Sequence, residues 1–135
     1  MSKSVFINRL MKFKNIEMNI ISKDRIQLGI QLGYTEINHF LQDIDDLTYH
    51  NFSEAEHIGR VIYFINHPNQ INPIVIDNFC GAGMPSCEAI IADGVHRLSA
   101  AVYLGWDKID IEYSGLEDTL DYLTGKIDQI PIKGN

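Results

Sequence analysis

The feature that most restricts what this chain can fold into is an abrupt change of hydrophobic period at Asp93-Gly94. Glu88 to Ala92 contains a short, nearly continuous apolar run of the length and character of a buried strand. Beyond Gly94, Leu98, Ala101 and Val102 fall on one face of a helix, and Gly105 stands where a C-terminal cap belongs. A strand that turns through glycine straight into a helix must lay that helix against its own sheet, which points to a layered α/β arrangement.

The flanking segments extend this pattern. Ser53-Glu54-Ala55-Glu56 has the form of a capping box, in which serine and glutamate each satisfy a backbone N–H at a helix start. Ile58, Val61, Ile62 and Ile65 follow at i, i+3, i+4 and i+7, so an amphipathic helix is predicted, ending near Asn66-His67-Pro68. Pro73 to Asp77 reads as a buried strand, and Asn78 to Ser86, with Gly81, Gly83 and Pro85, as a loop. Ile109 to Tyr113 alternates and is expected to be a strand with one polar face. Leu116, Leu120 and Leu123 mark a last helix, and Gln129 to Lys133 a short final strand.

The first 50 residues are harder to read. Ile16, Met18 and Ile20 alternate with polar neighbours, which predicts a strand from Asn15 to Ile21. Thr35 to Leu47 carries a helical stripe of Ile37, Phe40, Leu41, Ile44 and Leu47, with Thr35 as N-cap. Together these elements predict one small α/β domain over residues 1–135, a mixed sheet with packed helices, which suits a chain of this length.

Composition narrows the function classes. Eighteen acidic residues against 11 basic ones give a formal net charge of −7. Proteins that grip nucleic acid over a broad face cluster Lys and Arg, and here those residues are scattered, so nucleic acid is not the expected partner. The acidic surface suits docking on a basic protein partner. No apolar run approaches the roughly 18–20 residues that span a bilayer. The N-terminus lacks a signal peptide's apolar segment, and two cysteines are too few for a disulfide framework, so no membrane and a cytoplasmic setting are expected. Cys80 and Cys87 also lack the spacing of a structural zinc site.

The chemistry concentrates at the strand–turn–helix. A helix N-terminus offers unpaired N–H groups and the positive end of the helix dipole, and a glycine before it lets a ligand approach the backbone. The amides of Val95, His96 and Arg97, following Gly94, could cradle a phosphate. Arg97 adds a forked cation and His96 a donor that titrates near neutral pH. A purely structural account stands beside this one: Asp93 caps the helix, His96 sits on a solvated turn, and Arg97 pairs with a nearby carboxylate. His57 and Arg60, off the isoleucine stripe of the preceding helix, either face the ligand or lie on a solvated face.

The order Pro73-Ile-Val-Ile-Asp77, a glycine-containing loop, Ile90-Ile-Ala-Asp-Gly-Val-His-Arg-Leu-Ser-Ala-Ala-Val-Tyr-Leu-Gly105 and Ile109-Asp-Ile-Glu-Tyr113 resembles the ParB/sulfiredoxin superfamily. The resemblance spans Ser53 to Tyr113, a little under half the chain. Its branches differ in chemistry. Sulfiredoxins carry a reactive cysteine before the His-Arg pair, where this chain has Val95, so their repair reaction is not expected. Partition-type ParB proteins use a G-E-R-R-like motif and DNA-binding helices after it. Here the motif is Asp93-Gly-Val-His-Arg97, and only 38 residues follow Arg97. The nearest motif is D-G-H-H-R of the superfamily's free-serine kinases.

That last resemblance implies a nucleotide-dependent phosphotransferase or nucleotidase using ATP or another nucleoside triphosphate with Mg²⁺. In it Asp93 would assist an acceptor hydroxyl, Gly94, Val95, His96 and Arg97 would hold phosphate, and Glu54 or Glu56 would be the base. Val95 in place of the first histidine departs from the pattern at the acceptor contact, and helix-start electrostatics alone explain Glu54 and Glu56. The alternative is a non-catalytic acidic interaction or inhibitor protein, of plasmid or phage type, that keeps the fold. A ParB-like nuclease is a third option, which the acidic balance disfavours.

Overall fold

A computed structural model describes residues 2–38, 53–71, 73–79 and 88–131. In chain order the elements are β1 (Lys3–Phe6), α1 (Ile7–Leu10), α2 (Lys14–Asn19), α3 (Lys23–Gln31), α4 (Glu54–Asn66), a 3-10 turn (Pro68–Gln70), β2 (Ile74–Phe79), β3 (Glu88–Asp93), α5 (Val95–Tyr103), β4 (Lys108–Ser114) and α6 (Glu117–Thr124). The protein is therefore a small α/β fold with a mixed sheet, as the periodicity predicts.

Among the described residues the four strands form one sheet in the order β1-β4-β2-β3. β1 and β3 lie antiparallel to their neighbours, while β2 and β4 pair in parallel with Ile74 opposite Ile111. β3 ends and β4 begins at the same end of the sheet, so β4 runs opposite to β3 and parallel to β2, and α5 lies in the connection that takes the chain past β2. In β4, Ile109 and Ile111 are buried while Lys108, Asp110 and Glu112 are exposed, the one-faced pattern the alternation implies.

Two apolar clusters hold the fold. The larger joins Val5, Leu10, Ile16, Ile74, Ile76, Leu98, Ile111 and Leu123 between the sheet and α1, α2, α5 and α6. The smaller packs Ile26 of α3 against Ile58, Val61, Ile62 and Phe64 of α4 and Ala100 of α5, and Ile71 touches both clusters. Each fully buried Ile or Leu contributes about 1.5–3 kcal/mol relative to an exposed one. Ser99 fastens the two groups of elements, its Oγ accepting from the Ile21 N–H at 2.8 Å and donating to the Val95 carbonyl at 2.7 Å.

α4 starts as its sequence dictates. Ser53 Oγ accepts from the Glu56 N–H at 3.2 Å and Glu56 Oε1 from the Ser53 N–H at 2.9 Å, closing the capping box. α5 ends at Gly105, whose φ of +79° lets the Trp106 N–H reach back to the Ala101 carbonyl at 3.0 Å.

Three expectations change in the N-terminal part and at the chain's far end. Asn15 to Ile21 is not a strand: Lys14–Asn19 is helical. Ile16 and Ile20 are four apart, so a helix also puts both toward the core, and Met18 between them is 65% exposed. Thr35 to Asn38 is irregular, its Ile37 N–H donating to the Gly59 carbonyl at 2.9 Å, and the remainder of that helical stripe, residues 39–47, lies outside the described residues. Of the expected final strand, Gln129 to Pro131 is not extended into a sheet, and residues 132–133 lie outside the described residues. The expected loop begins later than Asn78, because Asn78 and Phe79 continue β2; Cys80, Cys87 and the glycines between them lie outside the described residues. No helix among the described residues is long and apolar enough to cross a membrane.

Candidate functional site

The turn from β3 into α5 is built by three local devices. At its approach the β2–β3 register slips by one residue, Val75 facing Asp93 and Ile76 facing Ile91, so Ala92 is a bulge that bends the strand. Gly94 then takes φ +106°, ψ 26° and forms the N-cap of α5. A side chain there would meet both a strained backbone and Ile74, because an added Cβ would lie 2.5 Å from Ile74 Cγ2. Arg97 closes the turn from below. Its Nη1 donates to the Pro73 carbonyl and its Nη2 to Asp93 Oδ2, each at 3.2 Å, tying the start of β2, the end of β3 and the first turn of α5.

Asp93 therefore does not cap α5. It is the last residue of β3, its side chain is 73% exposed, and it pairs with Arg97. Gly94 has no side chain to cap with, and the first turn of α5 carries no acidic residue, unlike the first turn of α4. The positive end of α5 is thus left without a carboxylate of its own helix to complement it.

Across from this turn stands the middle of α4. His57 and His96 are joined by a hydrogen bond, Nδ1 of the first to Nε2 of the second at 3.0 Å. Arg60, one turn further along α4, is only 6% exposed. Its Nη1 donates to the Ile37 carbonyl at 3.2 Å, and its guanidinium lies 4.6 Å from the centre of the Phe64 ring. A solvated face therefore does not describe Arg60, and His57 is half-buried against His96.

These neighbours set the electrostatics. Burial above all, then the positive potential of His57, Arg60 and Arg97, pushes the His96 imidazole down from 6.5 to about 4. Arg60 is likewise lowered, by burial first and by Arg97 as well. His96 is thus a neutral ring at pH 7 within a cationic surround.

Glu54 and Glu56 are placed elsewhere in the balance. Arg25 of α3 grips Glu54 through Nε at 2.9 Å and Nη2 at 2.5 Å, and this hydrogen-bonded pair holds the carboxyl below its usual range. Glu56 serves the capping box. Of the three carboxylates singled out in the sequence, only Asp93 sits on the turn itself. The site gains instead His57 and Arg60, whose i, i+3 spacing on α4 is the sequence signal that they share a face. Among the described residues no group of three or more His, Cys, Asp or Glu side chains is gathered to hold a metal ion.

Protein-family models, curated proteins and solved structures yield no match to the chain.

Proposed function

We propose that this protein binds a phosphate-bearing ligand, a nucleoside triphosphate, at the N-terminus of α5, in the manner its ParB/sulfiredoxin-like motif implies. The observation that carries the reading is the convergence of His57, Arg60, His96 and Arg97 on a helix start that has no capping side chain. An anion there would answer three demands at once: the amides of the first turn, the helix dipole, and the burial and positive potential that lower His96 and Arg60. Backbone amides and cationic forks are the usual partners of phosphate.

Phosphoryl transfer would need positioning and charge neutralisation, with Mg²⁺ held by phosphate oxygens, water and a carboxylate. Asp93, on the turn itself and paired with Arg97, would supply that carboxylate. A second reading, binding without turnover, is favoured by the commitment of Glu54 to Arg25 and of Glu56 to the cap, which leaves neither poised as a base.

Thermal unfolding with ATP, with and without Mg²⁺, tests the proposal. A ligand at roughly 100 times its Kd stabilises the native state by about 2.7 kcal/mol, enough to move the midpoint by several degrees. His96→Ala should remove most of that shift and leave a folded protein. The absence of any shift with ATP, or an equal one in the variant, would overturn the site.

A further inference from the structure

Arg25 and Arg97 each meet an exposed carboxylate, and they do so differently. Arg25 takes Glu54 through two prongs of its fork, Nε at 2.9 Å and Nη2 at 2.5 Å. Arg97 meets Asp93 through Nη2 alone, at 3.2 Å, longer than the roughly 2.7–2.9 Å of a tight charged hydrogen bond. The other prong, Nη1, donates to the Pro73 carbonyl, so the guanidinium stays fastened to the start of β2 whether or not Asp93 holds it. The side chain of Arg97 is 17% exposed and that of Asp93 73%. The cation is fixed, and its counter-ion is the part free to leave.

The bulge in β3 puts that counter-ion where it is. Ala89 is fully buried and Ile91 packs on the core, so strict alternation would turn Asp93 inward with them. The extra residue at Ala92 breaks the alternation, and Asp93 emerges in solvent beside Arg97. A single exposed ion pair contributes little to stability, so stability does not account for a carboxylate at this point. The same Nη2 borders the helix start: a Cβ added at Gly94 would lie 3.2 Å from it. A bare phosphate arriving there would compete with Asp93 for Nη2 and be repelled by the carboxylate. A phosphate that carries Mg²⁺ brings a cation the carboxylate can take, which leaves Nη2 to the phosphate oxygens.

We propose that Asp93 is an exchangeable counter-ion, which holds Arg97 in the free protein and passes to the magnesium ion carried by an incoming triphosphate as Arg97 passes to the phosphate. The site thereby selects the magnesium-bound nucleotide over the free one. This rests on the anion-binding reading above and adds to it the form in which the ligand is taken, with Asp93 as the residue that sets that specificity. Because the carboxylate opposes the free anion and favours the metal-bound one, the preference is a coupling between metal and nucleotide that runs through a single side chain.

Isothermal titration calorimetry of ATP, in EDTA and in excess Mg²⁺, tests this on the wild type, Asp93→Asn and Glu54→Gln. Asp93→Asn keeps the side-chain size and loses the charge. Glu54→Gln loses the same charge at the Arg25 pair, away from the turn. The wild type should bind ATP more tightly with Mg²⁺ than without it. Asp93→Asn should bind ATP in EDTA about two- to fivefold more tightly than the wild type, the worth of one exposed ion pair, and lose the preference for Mg²⁺. Glu54→Gln should keep the wild-type ratio of the two Kd values. A wild type indifferent to Mg²⁺, an unchanged ratio in Asp93→Asn, or a ratio that collapses equally in Glu54→Gln would overturn the exchange and leave the anion site standing. No binding of ATP by any of the three proteins in either buffer would overturn both.

Discussion

Acid titration of stability examines the charge arrangement around His96 without any ligand. The folded state lowers this imidazole from 6.5 to about 4, so between those values the unfolded chain binds a proton that the folded chain refuses. Stability contributed in this way is complete above pH 6.5 and is lost as pH falls toward 4. The whole window of about 2.5 units corresponds to roughly 3 kcal/mol at 1.36 kcal/mol per unit. Glu54, also lowered, loses its contribution only below its ordinary value of 4.5, so the cleaner interval lies between pH 7 and pH 5. There His96 alone should remove about 2 kcal/mol. The perturbation is His96→Gln, which retains a hydrogen-bonding group toward His57 and has nothing to titrate. Urea unfolding at half-unit pH steps should give wild-type midpoints that fall more steeply than those of the variant, the two curves closing on each other by that amount. Parallel curves would show that His96 titrates normally, and the burial and cationic surround deduced for it would be wrong.

Two other substitutions separate the parts of the site. Gly94→Ala forces a left-handed backbone on a residue with a side chain and drives its Cβ into Ile74, so a loss of more than about 1–3 kcal/mol is expected by chemical denaturation. Glu54→Gln removes an exposed ion pair and should cost less than about 1 kcal/mol, leaving the thermal shift with ATP unchanged; a lost shift would put Glu54 in the binding site.

The central and C-terminal elements were legible because each carries its own period and its own stop signal. Ser53 and Glu56 announce α4, Gly94 and Gly105 bracket α5, and the alternation of Ile109, Ile111 and Tyr113 gives β4 its buried face. β1 and α3 were not, for two reasons. Lys3 to Phe6 is a strand only because β4 supplies its partner, and four residues carry too little period to betray that. α3 exposes Leu28 and Ile30 while burying Ile26 and Gly29, so its apolar residues do not mark its inner face. At the site, Asp93-Gly-Val-His-Arg97 was visible as a motif, and the roles within it were not. Asp93 looks like a cap in sequence, but the bulge at Ala92 and the conformation of Gly94 hand the cap position to the glycine. The contact of His57 with His96 joins residues 39 apart, a distance that no local pattern encodes.

The outer position of β1 carries a consequence for how the chain reaches this structure. Its four residues pair with β4, Lys3 facing Ile111 and Phe6 facing Lys108, so one end of the sheet is sealed by segments from opposite ends of the sequence. Loop closure over such a span is entropically slow, and the helices and the β2–β3 hairpin have nearer partners to find first. Until β1 arrives, β4 is an open edge with Ile109 and Ile111 on one face, the kind of surface on which nascent chains associate with one another. The short N-terminal strand is then a guard against self-association during folding as much as a part of the finished sheet.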